Sequence, residues 1–117
     1  MKTDNIVLDK SMSFAIRVVR LYRYLNETHR EFILSKQLLK SGTSVGANIR
    51  EALRGQSRSD FAAKMNIALK EIYETEYWLE LLHATDYFTD KEFESIFAYC
   101  RELTKLLMSI VKTTKNE

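Results

Sequence analysis

Apolar residues recur at spacings of three and four along almost the whole chain, and no proline interrupts them. Such spacing places apolar side chains on one face of an α-helix, which turns by about 100° per residue. Only three glycines occur among 117 residues, so the residues that build β-turns and hairpins are nearly missing. A chain of this length fits one domain of about 100 to 150 residues. The pattern therefore predicts a single all-α domain, residues 1–117.

Four helical segments are predicted, at residues 9–26, at residues 34–55, from about residue 60 to 84, and from about residue 90 onward. Their short connections make sequential helices antiparallel neighbours. The predicted fold is therefore an antiparallel up-down-up-down four-helix bundle. The predicted inward residues are Leu8, Met12, Ala15, Val18, Tyr22 and Leu25 on the first helix, Phe61, Met65, Ala68, Ile72, Leu79 and Leu82 on the third, and Phe93, Phe97, Cys100, Leu103, Leu107 and Val111 on the fourth. The predicted helix caps are the capping-box pairs Thr28–Glu31 and Thr89–Glu92, and Ser57 or Ser59.

The second helix carries small and polar residues where a core face normally has none. Its predicted inward face is Leu34, Leu38, Ser41, Val45, Asn48, Ala52 and Gly55, with Ser44 and Glu51 on the flank. One interpretation is structural: Ser41, Gly42, Ser44 and Gly46 let another helix approach closely, while Asn48 fixes its register. The other is functional: Ser44, Asn48 and Glu51 bind a ligand or a partner's backbone.

The run from Gln37 to Ala52, with Ser59-Asp60-Phe61 and Ile67-Ala68 after it, resembles the signature of one bacterial family. That family is the intervening-sequence proteins of the large ribosomal RNA, also called four-helix bundle proteins. The resemblance covers about residues 9–111 and marks Ser41, Gly42, Ser44, Asn48, Glu51, Asp60 and Phe61 as motif and assembly residues. Ala52-Leu53 departs from it, since many members have glycine sooner.

The resemblance implies an antiparallel four-helix bundle that assembles with itself as a ring-like homopentamer. The family has no established molecular activity. A related group, which includes the accessory variability protein of diversity-generating retroelements, forms similar barrels and works with nucleic acid. This kinship is a fold-level analogy, and it favours nucleic acid as a partner without identifying one.

Charge is distributed unevenly along the chain. Residues 1–60 carry eleven Lys and Arg against six Asp and Glu, whereas residues 61–117 carry seven against ten. A basic surface repeated in an oligomer would attract RNA or DNA phosphates with salt-sensitive affinity. The candidate nucleic-acid contacts are Arg17, Arg20, Arg23, Lys36, Lys40, Arg50 and Arg54. Two alternatives stay open: a solvated charged face, or cations that pair with Glu71, Glu74 and Glu80 of a neighbouring subunit.

The third and fourth helices carry more apolar residues than one bundle core requires. Aromatic residues are enriched in interface cores, so these residues are candidates for a subunit interface. They are Ile67, Trp78, Leu81, Tyr99 and Leu106. The alternative is a broad core stripe with scattered exposed aromatics.

No catalytic, cofactor or metal site is predicted. A di-iron bundle needs two Glu-x-x-His motifs, and the chain offers only Glu80 with His83. Cys100 is the single cysteine, which excludes an internal disulfide and indicates a reducing cytoplasm. No apolar run is long enough to span a membrane. We therefore expect a non-enzymatic cytoplasmic module that associates with nucleic acid; the alternative is a protein-binding scaffold.

Overall fold

The computed structural model describes residues 6–116 as four α-helices joined by short connections. They are α1 (Ile6–His29), α2 (Leu34–Leu53), α3 (Arg58–Ala84) and α4 (Asp90–Lys115). Each helix packs against its sequential neighbours and α4 returns to α1, whereas the diagonal helix pairs of the described residues have no Cα atoms within 8 Å of each other. The bundle measures 45 × 23 × 20 Å. The predicted antiparallel up-down-up-down four-helix bundle is confirmed.

The predicted core is confirmed on α3 and α4 and shifted on α1. The predicted stripes from Met65 to Leu82 and from Cys100 to Val111 are buried, and their leading phenylalanines pack partly buried against the core. On α1, Met12 was predicted to face inward but is 47% exposed, whereas Phe14 is fully buried. A face centred on Phe14 removes more apolar area from water than one centred on Met12, which accounts for the rotation.

The predicted capping box between Thr28 and Glu31 is wrong, because Thr28 lies inside α1. Glu31 caps α2 by itself: its carboxylate accepts hydrogen bonds from the N–H groups of Ile33 at 3.2 Å, Leu34 at 2.9 Å and Ser35 at 2.7 Å. Burial opposes ionisation of Glu31, but these donors outweigh it and hold the pKa of the carboxyl below its ordinary value. The negative charge also suits the positive end of the helix dipole.

The other two predicted caps are present. Ser57, rather than Ser59, caps α3, since its Oγ accepts the N–H of Asp60 at 3.1 Å. Thr89 Oγ1 accepts the N–H of Glu92 at 3.1 Å, and the Glu92 carboxylate accepts the N–H of Thr89 at 2.9 Å. This pair is a complete capping box and confirms the predicted start of α4.

The buried face of α2 differs from the predicted one by a small rotation. Its buried residues are Ser35, Leu38, Ser41, Gly42, Val45, Ile49 and Ala52. Asn48 was predicted to face the core but is only partly buried, and Gly55 lies beyond the end of the helix and is exposed. The rotation turns Gly42 toward α1 and moves Asn48 to the rim. None of the helices described here is long and apolar enough to cross a membrane.

Candidate nucleic-acid interface and assembly surfaces

Two glycines of α2 bring α1 and α2 close together. A Cβ atom on Gly42 would lie 2.9 Å from both γ-methyl groups of Val18, and one on Gly46 would lie 3.1 Å from the Oγ of Ser11. The two glycines are four residues apart, so they stack on one helix face and admit the facing helix. The helix that approaches them is α1 of the same chain.

Ser41 joins α2 to α3 through a buried polar contact. Its Oγ lies 2.9 Å from the Oγ1 of Thr75, whose hydroxyl also reaches the carbonyl of Glu71 at 2.7 Å. Both side chains are buried. A buried hydroxyl must find a partner or cost free energy, so this pair favours one register of α2 against α3.

The other polar residues of the motif bond within or beside α2. Ser44 Oγ donates to the carbonyl of Lys40 at 2.7 Å, and Asn48 Nδ2 donates to the carbonyl of Ser44 at 2.8 Å. Glu51 forms an ion pair with Lys64 of α3 at 2.8 Å. These groups lie at the outer edge between α2 and α3, where they are partly or fully exposed.

A concave surface covers the C-terminal half of α2, and we call it the α2 groove. Its volume is about 830 Å³, and α1 and α3 form its walls. The floor is made of the small residues Thr43, Gly46 and Ala47. Because these side chains are short, α2 lies recessed between its neighbours. Arg50 and Arg54 line the same groove, and neither forms an ion pair with any residue of the part from 6 to 116.

The structure divides the predicted nucleic-acid contacts between two sides of α1. Arg17 and Arg20 lie in a groove at the seam between α1 and α4. Arg50 and Arg54 lie in the α2 groove, where α1 contributes a different face, the one that carries Ala15. Exposed side chains on the outer surfaces of α1 and α2 make up the rest of the set. These are Arg23, Lys36 and Lys40.

The seam between α1 and α4 is bridged by long side chains, and we call the space there the seam groove. Arg17 Nη2 donates to the Oγ of Ser95 at 3.0 Å, and the Arg17 guanidinium lies over the ring of Tyr99 at 6.0 Å. The groove has a volume of about 470 Å³. Arg17, Arg20 and Lys91 of α4 all line this groove.

The seam groove also holds an aromatic side chain and one carboxylate. Tyr24 lines it and is 39% exposed. Glu92 lines it too, but its carboxylate is bound to the backbone at the start of α4. Neither Arg17, Arg20 nor Lys91 forms an ion pair with another residue of the described chain. Sequence reasoning missed Lys91 and Tyr24, because only the packing of α4 on α1 brings them to these arginines.

The candidate interface residues fall into two groups, one on α4 and one on α3. Tyr99 and Leu106 are partly buried against the chain's own core, and the Tyr99 ring stacks on Phe14 with centroids 6.1 Å apart. Ile67 and Leu81 lie on α3, where Ile67 is 39% exposed. Trp78 is partly buried on α3, and its Nε1 donates to the carboxylate of Glu74 at 3.0 Å.

Glu76, His83 and Cys100 serve the packing of α3 and α4. The Glu76 carboxylate accepts from Arg101 at 2.9 Å and from Thr104 at 2.6 Å. His83 pairs with Asp90 at 2.7 Å. Burial raises the pKa of the Cys100 thiol well above its ordinary value, so a reactive thiolate is disfavoured there. Within residues 6–116, no three His, Cys, Asp or Glu side chains come together as metal ligands.

Comparison with known proteins identifies the family of this chain. The profile of the family described as 23S rRNA-intervening sequence protein matches residues 3–109. The chain belongs to this family. A crystal structure from Bacteroides thetaiotaomicron VPI-5482, of a protein with unknown function from the S23 ribosomal protein family, has 59% sequence identity and a TM-score of 0.91. The similarity covers 93% of this chain and 97% of that one. A search of curated proteins found no match to the chain.

The motif residues on which the family resemblance rests surround the C-terminal half of α2 and the start of α3. Asp60 is bonded at the cap of α3, and its carboxylate accepts the N–H of Gln56 at 3.3 Å. Phe61 packs partly buried against the core. In this member of the family, the motif residues lie on both faces of α2. Ser41 and Gly42 face the core, whereas Gly46 and Glu51 line the α2 groove.

Proposed function

We propose that this intervening-sequence protein is a non-enzymatic, self-associating module that binds the phosphate backbone of RNA or single-stranded DNA. The seam groove carries this proposal. It gathers Arg17, Arg20 and Lys91 from two helices beside a single carboxylate, Glu92, so a phosphate placed there would meet an excess of positive charge. Such contacts give largely sequence-independent affinity through counterion release.

Two further features of the groove suit a single strand better than a duplex. Arg17 is held in place by Ser95 before any ligand arrives, which lowers the entropy cost of binding. Tyr24 is exposed beside the cations, and an unstacked base on such a ring contributes about 1–3 kcal/mol. Single strands expose the faces of their bases, whereas duplexes do not.

Self-association extends this surface. The family resemblance implies five copies, and a ring would present the seam groove once per subunit. Several linked contacts on one strand raise the apparent affinity without any new contact within a subunit. The runner-up is a protein-binding scaffold, which the exposed apolar and acidic surface of α3 favours.

The test is binding of a fluorescently labelled single-stranded RNA, followed by anisotropy at low salt. The double variant Arg20→Gln/Lys91→Gln removes two cations of the seam groove, and we expect its affinity to fall at least tenfold. The control Lys70→Gln/Lys105→Gln removes the same charge from exposed positions of α3 and α4 outside this groove and should bind as the wild type does. Equal loss in both variants, or no binding by the wild type at low salt, would refute the proposal.

A further inference from the structure

We propose that a pocket at one end of the bundle binds a guanine base of the strand that crosses the seam groove. This inference rests on the nucleic-acid function proposed above and gives it a base preference. The pocket, which we call the end pocket, has a volume of about 440 Å³ and lies where α1 ends and where α3 connects to α4. The lining side chains that matter here are Tyr24, His29, Asp86, Tyr87, Asp90 and Glu92.

The end pocket continues the seam groove. Tyr24, Phe88 and Glu92 line both of them, so the two concave surfaces meet beside the Tyr24 ring. Two arginines and a lysine line the seam groove, whereas no arginine or lysine of residues 6–116 lines the end pocket. Phosphates of a bound strand are attracted to the cations and repelled by the carboxylates of the end pocket. The strand can therefore turn a base, but not a phosphate, into the end pocket.

Three neighbouring rings line the end pocket. The His29 ring meets the ring of Tyr24 edge-on with centroids 5.2 Å apart, and it meets the ring of Tyr87 in the same way at 5.4 Å. An edge-on contact covers one face of one ring and leaves both faces of the other ring out of that contact. Tyr24 and His29 are exposed and Tyr87 is half-buried. Because single-stranded bases stack on rings of this kind, a base that enters the pocket finds a stacking surface.

Three carboxylates line the end pocket, and two of them are already engaged. Asp90 Oδ1 lies 2.7 Å from His83 Nε2, and the Glu92 carboxylate accepts the N–H of Thr89 at 2.9 Å. The Asp86 carboxylate has no hydrogen bond or ion pair with another residue of the described chain. Asp86 has a φ of 71°, a left-handed conformation that glycine usually supplies after a helix. An acidic side chain at this position calls for a reason other than ending α3.

An unpaired carboxylate beside stacking surfaces selects guanine among the four bases. Guanine has two adjacent donors on its Watson–Crick edge, N1–H and the N2 amino group, and the two oxygens of one carboxylate accept both. Adenine and cytosine each place an acceptor nitrogen beside their amino group, and uracil has one N–H between two carbonyl groups. Each of these bases therefore sets a lone pair against the second oxygen of Asp86.

Three labelled RNAs of about ten nucleotides test the base preference by anisotropy at low salt. Each is a uridine strand whose central nucleotide is guanosine, adenosine or uridine. We expect the wild type to bind the guanosine strand at least about fivefold more tightly than the adenosine strand, which carries a purine of similar size. Asp86→Asn keeps the side-chain size and tolerates the left-handed backbone, but its amide cannot accept both donors, so the preference should disappear. Asp9→Asn, the same change at an exposed position near the other end of α1, should keep it.

The uridine strand separates this inference from the function on which it rests. Its affinity should stay close to the wild-type value in Asp86→Asn, which also shows that the variant is folded. Equal binding of the guanosine and adenosine strands by the wild type, or a guanosine preference that survives in Asp86→Asn, would overturn the base assignment and leave phosphate binding intact. No binding of any strand by the wild type would refute both. Guanosine monophosphate should compete only in large excess, because it lacks the further phosphate contacts of a strand; competition at equal concentration would assign the pocket to a free nucleotide and overturn the inference.

Discussion

At Gly42, a single absent methyl group decides how closely two helices pack. The γ-methyl groups of Val18 would stand 2.9 Å from a Cβ at this position, and a β-branched side chain in a core has little freedom to move aside. Alanine favours a helix over glycine by about 1 kcal/mol. In this helix, the collision outweighs that gain.

We therefore predict that Gly42→Ala lowers the free energy of unfolding by about 1–2 kcal/mol through overpacking. In a Val18→Ala background the two γ-methyl contacts are removed and only the Cβ at 3.3 Å remains, so the same change should destabilise the fold less than it does in the wild type. Urea denaturation of the four proteins in this cycle measures both effects. An equal effect of Gly42→Ala in the two backgrounds would show that Val18 is not the obstacle.

The connection between α1 and α2 depends on one carboxylate, and this makes the second helix sensitive to acid. The ionised form of Glu31 accepts three backbone hydrogen bonds in the folded chain, so its pKa is lower folded than unfolded. A lowered folded pKa stabilises the fold above the ordinary value of 4.5, and this contribution is lost as the pH falls through the folded value. Stability should therefore decline on acidification through this group.

Replacing Glu31 by Gln should cost about 1 kcal/mol at pH 7, as the loss of a helix cap does. The difference from the wild type should shrink as the pH falls below the ordinary pKa of 4.5, because the wild-type side chain then becomes neutral as well. Urea unfolding across this pH range measures it. Glu27→Gln, at an exposed position of α1, is the matched control; a gap for Glu31→Gln that stays constant with pH would contradict this account.

Spacing in the sequence predicted the helices well and their orientation less well. The same Thr-x-x-Glu pattern is a true capping box at Thr89 and Glu92 but not at Thr28 and Glu31. Local sequence does not distinguish these cases, because α1 extends through Thr28 before the chain turns. The orientation of α2 depends on how closely α1 approaches Gly42, and a wheel drawn for one helix contains no information about its neighbour.

For the whole molecule, the sequence predicted the bundle and the family but did not predict which cations lie together. Seventy-eight residues separate Arg17 from Ser95, which holds its guanidinium. Only the return of α4 to α1 brings Lys91 to Arg17 and Arg20. The candidate site is therefore a property of the closed bundle. Its positive charge combines Arg17 and Arg20 of α1 with Lys91 of α4.

The salt dependence of RNA binding tests the central claim most directly. Each phosphate neutralised on a single strand contributes about −0.7 to the slope of log affinity against log salt. Three seam-groove cations should therefore give the wild type a slope of about −2 or steeper, and Arg20→Gln/Lys91→Gln should reduce its magnitude by about 1.4. A wild-type affinity that does not change with salt, or an equally steep slope in the variant, would contradict binding of a phosphate backbone in the seam groove.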